Sequence, residues 1–560
     1  MTATTERPDH GMRAMVSSLR PPASQAATYY AQGWWRPESF LDDLRAAASA
    51  TPDRPAYINW RRDLGREVIV TFGELASYVD RLSAGLRGLG LCPGDVVAFQ
   101  LPNWWEAAAL ALACLDAGLI AVPMLITLGR REVERILAGT EANACVVVDR
   151  WEAARPDLLL ADLATRLPRL GHRIVVGDAA ATGAVAVADL IKAGSSHARS
   201  PRGPDEVSMV LFTSGTTGEM KGVLHTPNTQ YASIRPRRDV LLRTATPANL
   251  IHSAGMQTNV LMPLVTGCAS VFADTLDPQV WLDLLARHRV TDFLVNPQMS
   301  RTLVQAQRRR RRPLPDLRRI INSGAPLPAP LIAPIRDRLC PVLVNGYGMT
   351  ETGGLTATAV DDPPDRVGNS IGRPLTGRQI RLAPDDPPGV FRLHVRGPSV
   401  CVGTFRLRDR QPAWVPATTD GWYDTGDLVG EDGRGGLRYL SRVADRIGSP
   451  LPIPILEVED ELLRHPAVAD VAIVGCPDNA DQESVCAVVV PAGPAPTLDG
   501  LRRHLLDTGM TEWYLPTRLE YVEALPRNDL GKVLKNQLRD RLRPRSGGTA
   551  ASAATDGTFH

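Results

Sequence analysis

Apolar and polar positions alternate along most of the chain with two different periods. In segment 71–90, TFGELASYVDRLSAGLRGLG, apolar residues recur every three or four positions, which predicts an amphipathic helix. Short runs such as DVVAFQL and ACVVVD are apolar and β-branched, which is typical of buried strands. Helices that alternate with such strands predict an α/β body with largely parallel sheets.

The pattern changes in the last third of the chain. After about residue 370, turn-rich strands such as GVFRLHVRG replace the helices and predict a β-rich subdomain. From Ile455, helical and strand patterns mix again over a length of about a hundred residues, which suits one compact α+β domain. We therefore expect an α/β N-terminal domain with stacked mixed β-sheets, helices and the β-rich subdomain (residues 1–441), a small α+β C-terminal domain (442–543) and a disordered tail (544–560).

Composition indicates an ordinary globular protein. Of 560 residues, 44% are hydrophobic and 22% charged, and the net charge of +2 gives no reason to expect a nucleic-acid partner. The basic run Arg308–Arg312 ends at a proline, so we interpret it as a solvated helix end. The most apolar stretch, Ala107–Leu125, is interrupted by Asp116 and Pro123. It predicts a buried helix followed by a strand, and no transmembrane span.

The eight cysteines are scattered singly and form no CxxC pair, as expected for reduced, mostly buried thiols. The N-terminal residues carry charges and prolines where a signal peptide needs an apolar core. These two observations predict a cytoplasmic protein. We expect a monomer or a homodimer.

A glycine- and hydroxyl-rich segment is the first candidate for chemistry. LFTSGTTGEMKG (211–222) follows the apolar run VSMVLF, and its glycines let successive N–H groups converge on phosphate oxygens. The alternatives are a flexible surface turn, a dinucleotide GxGxxG loop or a Walker GxxxxGK[ST] loop, and neither of the last two patterns is present. The predicted phosphate-binding residues are Thr213, Ser214, Gly215, Thr216, Thr217, Gly218 and Lys221.

This loop resembles the phosphate-binding signature of the adenylate-forming superfamily, with Met220 where the family usually has proline. Further signatures follow in the family's order: NSGAPLP (322–328), NGYGMTETGG (345–354), GWYDTGDL (421–428), SRVADRI (441–447) and PRNDLGKVLKNQLRDRL (526–542). The resemblance covers nearly the whole chain. It implies an AMP-forming acid–thiol ligase that uses ATP and Mg²⁺ and whose C-terminal domain is mobile.

The resemblance also implies roles for the residues of the central signatures. Tyr347 would stack on adenine, with Gly324 and Ala325 on the other face. Thr350 would reach the α-phosphate, and Glu351 would bind Mg²⁺, since a hard cation prefers carboxylate and phosphate oxygens. Outside this motif Glu351 would be interpreted as an ordinary surface glutamate. The remaining predicted nucleotide-binding residues of these two signatures are Pro326, Asn345, Gly346 and Gly348.

Three residues of the later signatures complete the implied site. Asp427 resembles the carboxylate that accepts hydrogen bonds from both ribose hydroxyls, and Arg442 resembles its supporting guanidinium, although the two would also suit a structural ion pair. Lys532 resembles the mobile lysine that bridges the reacting carboxylate and the α-phosphate. Only four of the 63 basic residues are lysines, and Lys221 and Lys532 both fall in these motifs.

The chain departs from the family where the enzyme turns from making the adenylate to using it. The hinge position is Ala444, where the family usually has aspartate or lysine. The next loop, GSPLPIP, has prolines where the family has paired glycines that approach pantetheine, and prolines donate no backbone hydrogen bond. CoA is therefore a possible second substrate, and drift of the loop with function kept remains equally open.

Three functions stay open on the sequence. In the first, ATP activates an aromatic, cyclic or medium-chain carboxylic acid, and the acyl group passes to CoA. The segment LIHSAGMQTNVLMPLVTG resembles the acid-pocket segment of such ligases. In the second, the acceptor is a carrier protein, an amine or nitrite. In the third, a non-catalytic relative only binds nucleotide. The predicted acid-pocket residues are His252, Gly255, Met256 and Gly353.

Overall fold

A computed structural model describes residues 16, 19–20, 23–193, 201–214, 220–235, 243–408, 411–416, 421–447, 453–477, 483–528 and 531–542. The chain divides into two compact units, of which the first comprises Met1–Tyr439 with Asp529–Lys532 and the second Leu440–Asn528 with Val533–His560. The sequence put the boundary after residue 441. It also put segment 529–532 with the C-terminal domain, whereas this segment groups with the first unit. The predicted tail lies outside the described residues.

Both units consist of strands joined by helices and turns. In chain order, the strands are β1 Pro55–Arg61, β2 Arg66–Thr71, β3 Val96–Gln100, β4 Ile120–Met124, β5 Ala144–Val148, β6 His172–Val176, β7 Val185–Ala186, β8 Met209–Ser214, β9 Met220–His225, β10 Thr244–Ala245, β11 Ser270–Ala273, β12 Asp292–Val295, β13 Arg319–Asn322, β14 Leu343–Met349, β15 Gly353–Ala357, β16 Arg373–Pro374, β17 Gln379–Asp385, β18 Val390–Arg396, β19 Gly403–Arg408, β20 Gln411–Pro416, β21 Tyr423–Glu431, β22 Leu437–Arg442, β23 Val468–Pro477, β24 Glu483–Pro491 and β25 Arg518–Tyr521. The helices are α1 Ala23–Ala31, α2 Phe40–Ala50, α3 Phe72–Gly88, α4 Trp105–Asp116, α5 Arg130–Gly139, α6 Pro156–Ala164, α7 Val187–Ala193, α8 Pro227–Ile234, α9 Ser253–Gly255, α10 Met262–Thr266, α11 Pro278–Arg287, α12 Pro297–Arg309, α13 Ala329–Arg338, α14 Pro364–Asn369, α15 Ile455–Leu462, α16 Leu498–Asp507 and α17 Lys535–Leu542, with a π-helix at Met256–Leu261 and 3₁₀ turns at Val443–Asp445 and Glu512–Tyr514.

The first unit contains two nine-stranded mixed sheets, in the orders β16-β15-β14-β13-β12-β10-β11-β1-β2 and β20-β19-β9-β8-β4-β3-β5-β6-β7. The strands β3 to β6 pair in parallel, as do β12, β13 and β14, whereas β8 and β9 form an antiparallel hairpin. The predicted α/β fold with stacked mixed sheets is confirmed. The antiparallel strands were not distinguished by the sequence pattern, because a buried strand is apolar in either direction.

The helix predicted over 71–90 is α3, which begins one residue later. Thr71 stays outside because its side chain accepts a hydrogen bond from the Glu74 N–H, while the Glu74 side chain accepts one from the Thr71 N–H. This capping box satisfies two N–H groups that have no partner within the helix. The apolar residues Leu75, Val79 and Leu82 of α3 are buried.

The most apolar stretch forms α4 and then β4, as predicted, and both are almost entirely buried. Asp116 is 1% exposed, and Arg45 lies 2.7 Å from its carboxylate, which compensates the buried charge. Among the described residues, no helix is long and apolar enough to cross a membrane.

The predicted β-rich subdomain is the four-stranded sheet β17-β18-β21-β22. The arginine run lies at the end of α12, and Arg308 to Arg311 are exposed. Cations at a helix C-terminus interact favourably with the helix dipole, so the interpretation as a solvated helix end is confirmed.

The second unit is small and mixed, as predicted. Its three-stranded sheet β23-β24-β25 accompanies helices α15, α16 and α17. Its core consists of apolar residues such as Val458, Leu462, Leu501 and Leu505. Across both units, all eight cysteines are free thiols and seven are buried.

Candidate active site

The predicted phosphate loop connects the two strands of the β8–β9 hairpin. Thr213 and Ser214 are the last residues of β8 rather than loop residues, because they pair with Lys221 and Met220 of β9. Residues 215–219, which include the predicted Gly215, Thr216, Thr217 and Gly218, lie outside the described residues, as does the Ser214 side chain. Lys221 therefore lies near the start of β9, directly opposite Thr213.

The turn Thr350–Thr352, which follows β14, is held by three hydrogen bonds from outside it. His225 Nε2 donates to the Thr350 carbonyl (2.8 Å). The Cys401 N–H donates to the Glu351 carbonyl (2.7 Å), and the Ser399 hydroxyl donates to the Thr352 carbonyl (2.7 Å). Three successive carbonyl oxygens are thus fixed by donors from two separate chain segments.

The side chain of Glu351 points to Lys221. Glu351 is 3% exposed, and its carboxylate forms an ion pair with the Lys221 ammonium. The Tyr423 hydroxyl lies 3.5 Å from the same ammonium. The structure thus brings together two predicted site residues that are far apart in sequence, and it places their charges beside the end of the phosphate loop.

Gly222, next to Lys221, allows a second strand to approach. A Cβ atom at this position would clash with the Phe405 ring of β19, which pairs with β9. The glycine is required here by packing rather than by phosphate binding.

His225 is a residue that the sequence analysis missed. It lies on the same strand face as Lys221, because alternate residues of a strand point the same way. Burial lowers the pKa of His225 to about 4, although Thr350 and Glu351 oppose that shift. A sequence signal did exist, since a histidine at the end of the apolar strand MKGVLH, in phase with Lys221, falls on the face that carries the lysine.

The predicted adenine site lies at the carboxyl ends of β13 and β14. These strands are parallel, and Asn322 pairs with Asn345, so the turn Gly324–Pro326 comes level with Tyr347. The Tyr347 ring packs 6.2 Å from the Tyr439 ring, and its hydroxyl donates to the carboxylate of Asp427, which is fully buried in β21. Tyr347 and Asp427, predicted to bind adenine and ribose, therefore contact each other.

Asn345 has a different environment from Tyr347. Its side-chain N–H groups donate to the Ser370 and Val367 carbonyls, at 2.9 and 3.3 Å, and its backbone N–H donates to the Thr358 hydroxyl. These bonds fix the chain beyond β14. Gly346 lies within β14, and a Cβ atom at Gly348 would clash with the Gly353 carbonyl.

The predicted acid-pocket residues form two groups. Gly353 has a φ of +66°, and a Cβ atom there would clash with the Ser233 hydroxyl of α8. Ser233 donates to Gln257 Oε1 (3.0 Å), and Gln257 Nε2 donates to the Ser253 hydroxyl (2.9 Å) and to Gln230 Oε1 (3.2 Å). A buried polar chain therefore connects Gly353 to the segment predicted to line the acid pocket.

The other group is in the predicted pocket segment itself. Met256 is buried at the start of the π-helix, and a Cβ atom at Gly255 would clash with the Asn249 carbonyl. Burial lowers the pKa of His252 to about 4. The Nε2 atom of His252 is buried and has no hydrogen-bond partner in the part of the chain that the structure describes.

Comparison with known proteins decides the family. The model of the AMP-binding enzyme family matches residues 44–403, and the model of its C-terminal domain matches residues 457–532. The chain belongs to the AMP-binding enzymes. It is an adenylate-forming ligase, and its relatives include acyl-CoA ligases and aryl-acid AMP ligases.

Two curated relatives and one solved structure illustrate the similarity. The chain is 31% identical to a salicyl-AMP ligase / salicyl-S-ArCP synthetase of Mycobacterium tuberculosis, over 96% of each chain. It is 30% identical to a medium-chain fatty-acid–CoA ligase of Escherichia coli, over 92% of each. The structure of ATP-bound MatB from Rhodopseudomonas palustris matches with a TM-score of 0.76 and 26% identity, over 90% of this chain and 99% of that one.

The remaining predicted residues of this AMP-binding enzyme lie near the end of β22 and near the C-terminus. Arg442 is the last residue of β22, and Ala444 is exposed in the 3₁₀ turn that follows. Lys532 is half-buried and precedes Val533, which forms an antiparallel bridge with Arg527.

The proline-rich loop lies largely outside the described residues, at 448–452. Its two ends are fixed, because the Ile453 N–H donates to the Ile447 carbonyl (3.0 Å) and both isoleucines are buried. Pro454 then precedes α15.

The donor set of this AMP-binding enzyme suits a lightly held Mg²⁺. Among the described residues, no three His, Cys, Asp or Glu side chains come together as a metal site. Glu351 offers one carboxylate, and Mg²⁺ in nucleotide sites is commonly held by one or two carboxylates together with phosphate oxygens and water. The residues present therefore fit Mg²⁺ that arrives with a nucleotide.

Proposed function

We propose that this enzyme activates an aromatic, cyclic or medium-chain carboxylic acid with ATP as the acyl-adenylate and then transfers the acyl group to CoA. The observation that carries the first step is the pairing of Lys221 with the buried Glu351, beside the phosphate loop and next to Thr350. An ammonium and a carboxylate side by side suit a nucleoside triphosphate with its metal ion. The ammonium suits the phosphate oxygens, and the carboxylate suits the metal ion.

Each residue of the site has a proposed role in binding ATP. Thr213 and Ser214 at the end of β8, the loop residues 215–218 and Lys221 hold the β- and γ-phosphates, and Thr350 reaches the α-phosphate. The adenine lies between Tyr347 and the turn Gly324–Pro326, beside Asn345, Gly346 and Gly348. The Asp427 carboxylate, supported by Arg442, accepts from the ribose hydroxyls. When bound, Mg²⁺ neutralises phosphate charge next to Glu351.

The chemical step is attack of an acid oxygen on the α-phosphorus. The bond from that phosphorus to the bridging oxygen breaks, and pyrophosphate leaves with the electron pair. Two anions approach each other in this step, so positive charge placed in advance lowers the barrier. We assign that charge to Lys532, brought to the site by movement of the C-terminal domain about Ala444.

We infer the class of acid from the segment that is predicted to line the pocket. The segment LIHSAGMQTNVLMPLVTG has no Asp, Glu, Lys or Arg, so an uncharged acid body suits it. Burial keeps the His252 ring neutral, and its unsatisfied Nε2 atom would bind a polar group of the acid. Two relatives are named for salicylate and for a medium-chain fatty acid, which fall in the proposed range.

ATP–pyrophosphate exchange with a panel of carboxylic acids tests the adenylation. Exchange with at least one aromatic, cyclic or medium-chain acid is the expected result. Binding of ATP without exchange for any acid would favour a non-catalytic nucleotide-binding protein.

Mass spectrometry of the products tests the acceptor. With the best acid and CoA we expect a thioester and faster turnover. If adenylate accumulates and CoA has no effect, a carrier protein, an amine and nitrite are the acceptors to try. A thioester formed through the unmodified GSPLPIP loop would mean that its prolines cost no essential contact with pantetheine.

A further inference from the structure

The turn Thr350–Thr352 carries both proposed phosphate and metal contacts, so the groups that fix it control the chemistry. Two of its three outside donors are ordinary structural groups, the Cys401 backbone N–H and the Ser399 hydroxyl. The third is His225, an ionisable side chain that is 1% exposed. His225 holds the carbonyl that lies directly between the Thr350 and Glu351 side chains.

The contacts of His225 show that its Nε2 atom carries a hydrogen. A carbonyl oxygen can only accept, so Nε2 carries the hydrogen that binds Thr350. The Nδ1 atom lies 3.0 Å from the Thr229 hydroxyl oxygen. That hydroxyl also accepts from the Thr226 N–H and lies 3.0 Å from the Thr226 carbonyl, so α8 fixes its position. Burial keeps the ring neutral, and the ring is therefore a fixed, uncharged donor.

His225 and Lys221 act on neighbouring residues from one strand face. Lys221 holds the Glu351 carboxylate, and His225 holds the carbonyl one peptide earlier. Fixing the carbonyl of residue 350 fixes the peptide plane that joins it to residue 351. The directions of the Thr350 hydroxyl and the Glu351 carboxylate then depend on that plane.

We propose that His225 is a positioning residue for adenylation. Its Nε2–H holds the 350–351 peptide so that Thr350 and Glu351 face the α-phosphate and its metal ion. It contacts no substrate itself. This inference rests on the proposed adenylation, and its test must separate the two.

Three variants separate positioning from packing. In His225→Gln, the side-chain N–H₂ reaches about as far as Nε2 and can still donate to Thr350. In His225→Asn, the shorter amide reaches only the place of Nδ1. His225→Leu removes both polar atoms. His172→Asn, in β6 at the far end of the same sheet, serves as the control.

Exchange kinetics give the expected pattern. The Gln variant keeps the kcat of the wild type to within about three-fold, whereas the Asn and Leu variants lose about 10²-fold in kcat, as expected for a misplaced catalytic group. The KM for ATP changes little in all of them, and the Asn variant needs more Mg²⁺ for half-maximal rate. Equal losses for Gln and Asn, or an Asn variant as active as the wild type, would overturn the proposal.

A wild-type enzyme that is inactive with every acid would be a failure of the proposed adenylation, not of this inference. In that case, calorimetric titration of ATP at increasing Mg²⁺ decides the role of His225. The Asn variant should need more Mg²⁺ than the wild type to reach its full affinity for ATP, and the Gln variant should need the same Mg²⁺ as the wild type. Circular dichroism of each variant shows that it is folded. Unchanged Mg²⁺ dependence in a folded Asn variant would remove the positioning role.

Discussion

The Lys221 ammonium contacts the Glu351 carboxylate, and each is a group that the proposed chemistry needs for something else. Before nucleotide binds, the two side chains neutralise each other. In the proposed mechanism, the lysine would pass to a phosphate and the carboxylate to the metal ion when ATP and Mg²⁺ bind. The site would then exchange an internal ion pair for two external ones, and neither charge would be left buried without a partner.

This pairing makes the free protein sensitive to the loss of one partner. Lys221→Met leaves the Glu351 charge buried, and we expect the protein to lose about 3 kcal/mol of stability, as for other broken buried pairs. The double variant Lys221→Met with Glu351→Gln should recover part of that loss. Chemical unfolding of both, with exposed Lys192→Met as the control, is the measurement. A single variant as stable as the control would contradict the pairing.

Tyr347 and Asp427 are expected to separate on nucleotide binding. Because the Tyr347 hydroxyl occupies a carboxylate oxygen proposed for ribose, Tyr347→Phe should bind AMP as well as or better than the wild type. Asp427→Asn should bind AMP at least about ten-fold more weakly, since a charge-assisted bond is lost. Calorimetry measures both. With 2′,3′-dideoxy-AMP the penalty of the Asn variant should vanish, and a penalty that remains would place the ribose elsewhere.

Gly353→Ala should damage the acid pocket more than the fold. The new Cβ would clash with the Ser233 hydroxyl and disturb its bond to Gln257. We expect a KM for the acid at least about ten-fold higher, a loss of roughly 1.4 kcal/mol in binding, with the KM for ATP nearly unchanged.

A matched control isolates that clash from backbone strain. Gly65 has a φ of +61°, close to that of Gly353, but a Cβ atom there would meet nothing within 4 Å. Gly65→Ala carries the same left-handed strain without the clash. If both variants change the acid KM equally, or neither does, Gly353 does not line the pocket.

Lys532→Ala should lose most of the exchange activity. If the ammonium is the closest counter-charge of the reacting carboxylate, its removal costs about 10² to 10³-fold in kcat. Lys535, three residues later, lies 2.7 Å from Glu459 and serves as a comparison. Lys535→Met should lower stability but keep the kcat of the folded enzyme. An unchanged exchange rate in Lys532→Ala would mean that the catalytic lysine is a different one.

His225 should make stability depend on pH below neutrality. Its pKa of about 4 in the folded protein is below the ordinary value of about 6.5, so the unfolded chain takes up the proton first as pH falls. The contribution of His225 to the free energy of unfolding is fully present above pH 6.5. It is lost as the pH falls toward 4, at up to about 1.4 kcal/mol per pH unit. As the pH is lowered from 7 to 4.5, the unfolding midpoint of the wild type should approach that of His225→Gln. Parallel curves would mean that the ring titrates normally.

The sequence predicted the positions of helices and strands better than it predicted which strands pair and in which direction. The period of apolar residues located α3 to within two residues, because burial of one face imposes that period, whereas a continuously apolar run located α4, which is buried on nearly all sides. The apolar run of β8 was identified from the sequence but β9 was not, although the five residues between the two strands are too few for a parallel crossover and require an antiparallel hairpin.

Single site residues could likewise be identified from the sequence, whereas the contacts between them could not. Signatures identified Lys221 and Glu351 separately, but their contact depends on β9 lying beside the turn after β14. His225 belongs to no signature. Its phase with Lys221 indicates its strand face, but the sequence cannot identify its partner, which is a backbone carbonyl. The need for glycine at 353 likewise comes from Ser233, a residue of a distant helix.

The pairing of Ser214 with Met220 has a consequence for how the phosphate loop can vary. Side chains along β9 alternate between two faces, so a change of one residue in the length of segment 215–219 that shifted the strand by one position would turn Lys221 and His225 away together. Both the ion pair and the hold on the Thr350 carbonyl would be lost in one step. The number of residues in segment 215–219 is therefore constrained by the strand that follows it, in addition to the constraint that phosphate binding would place on their type.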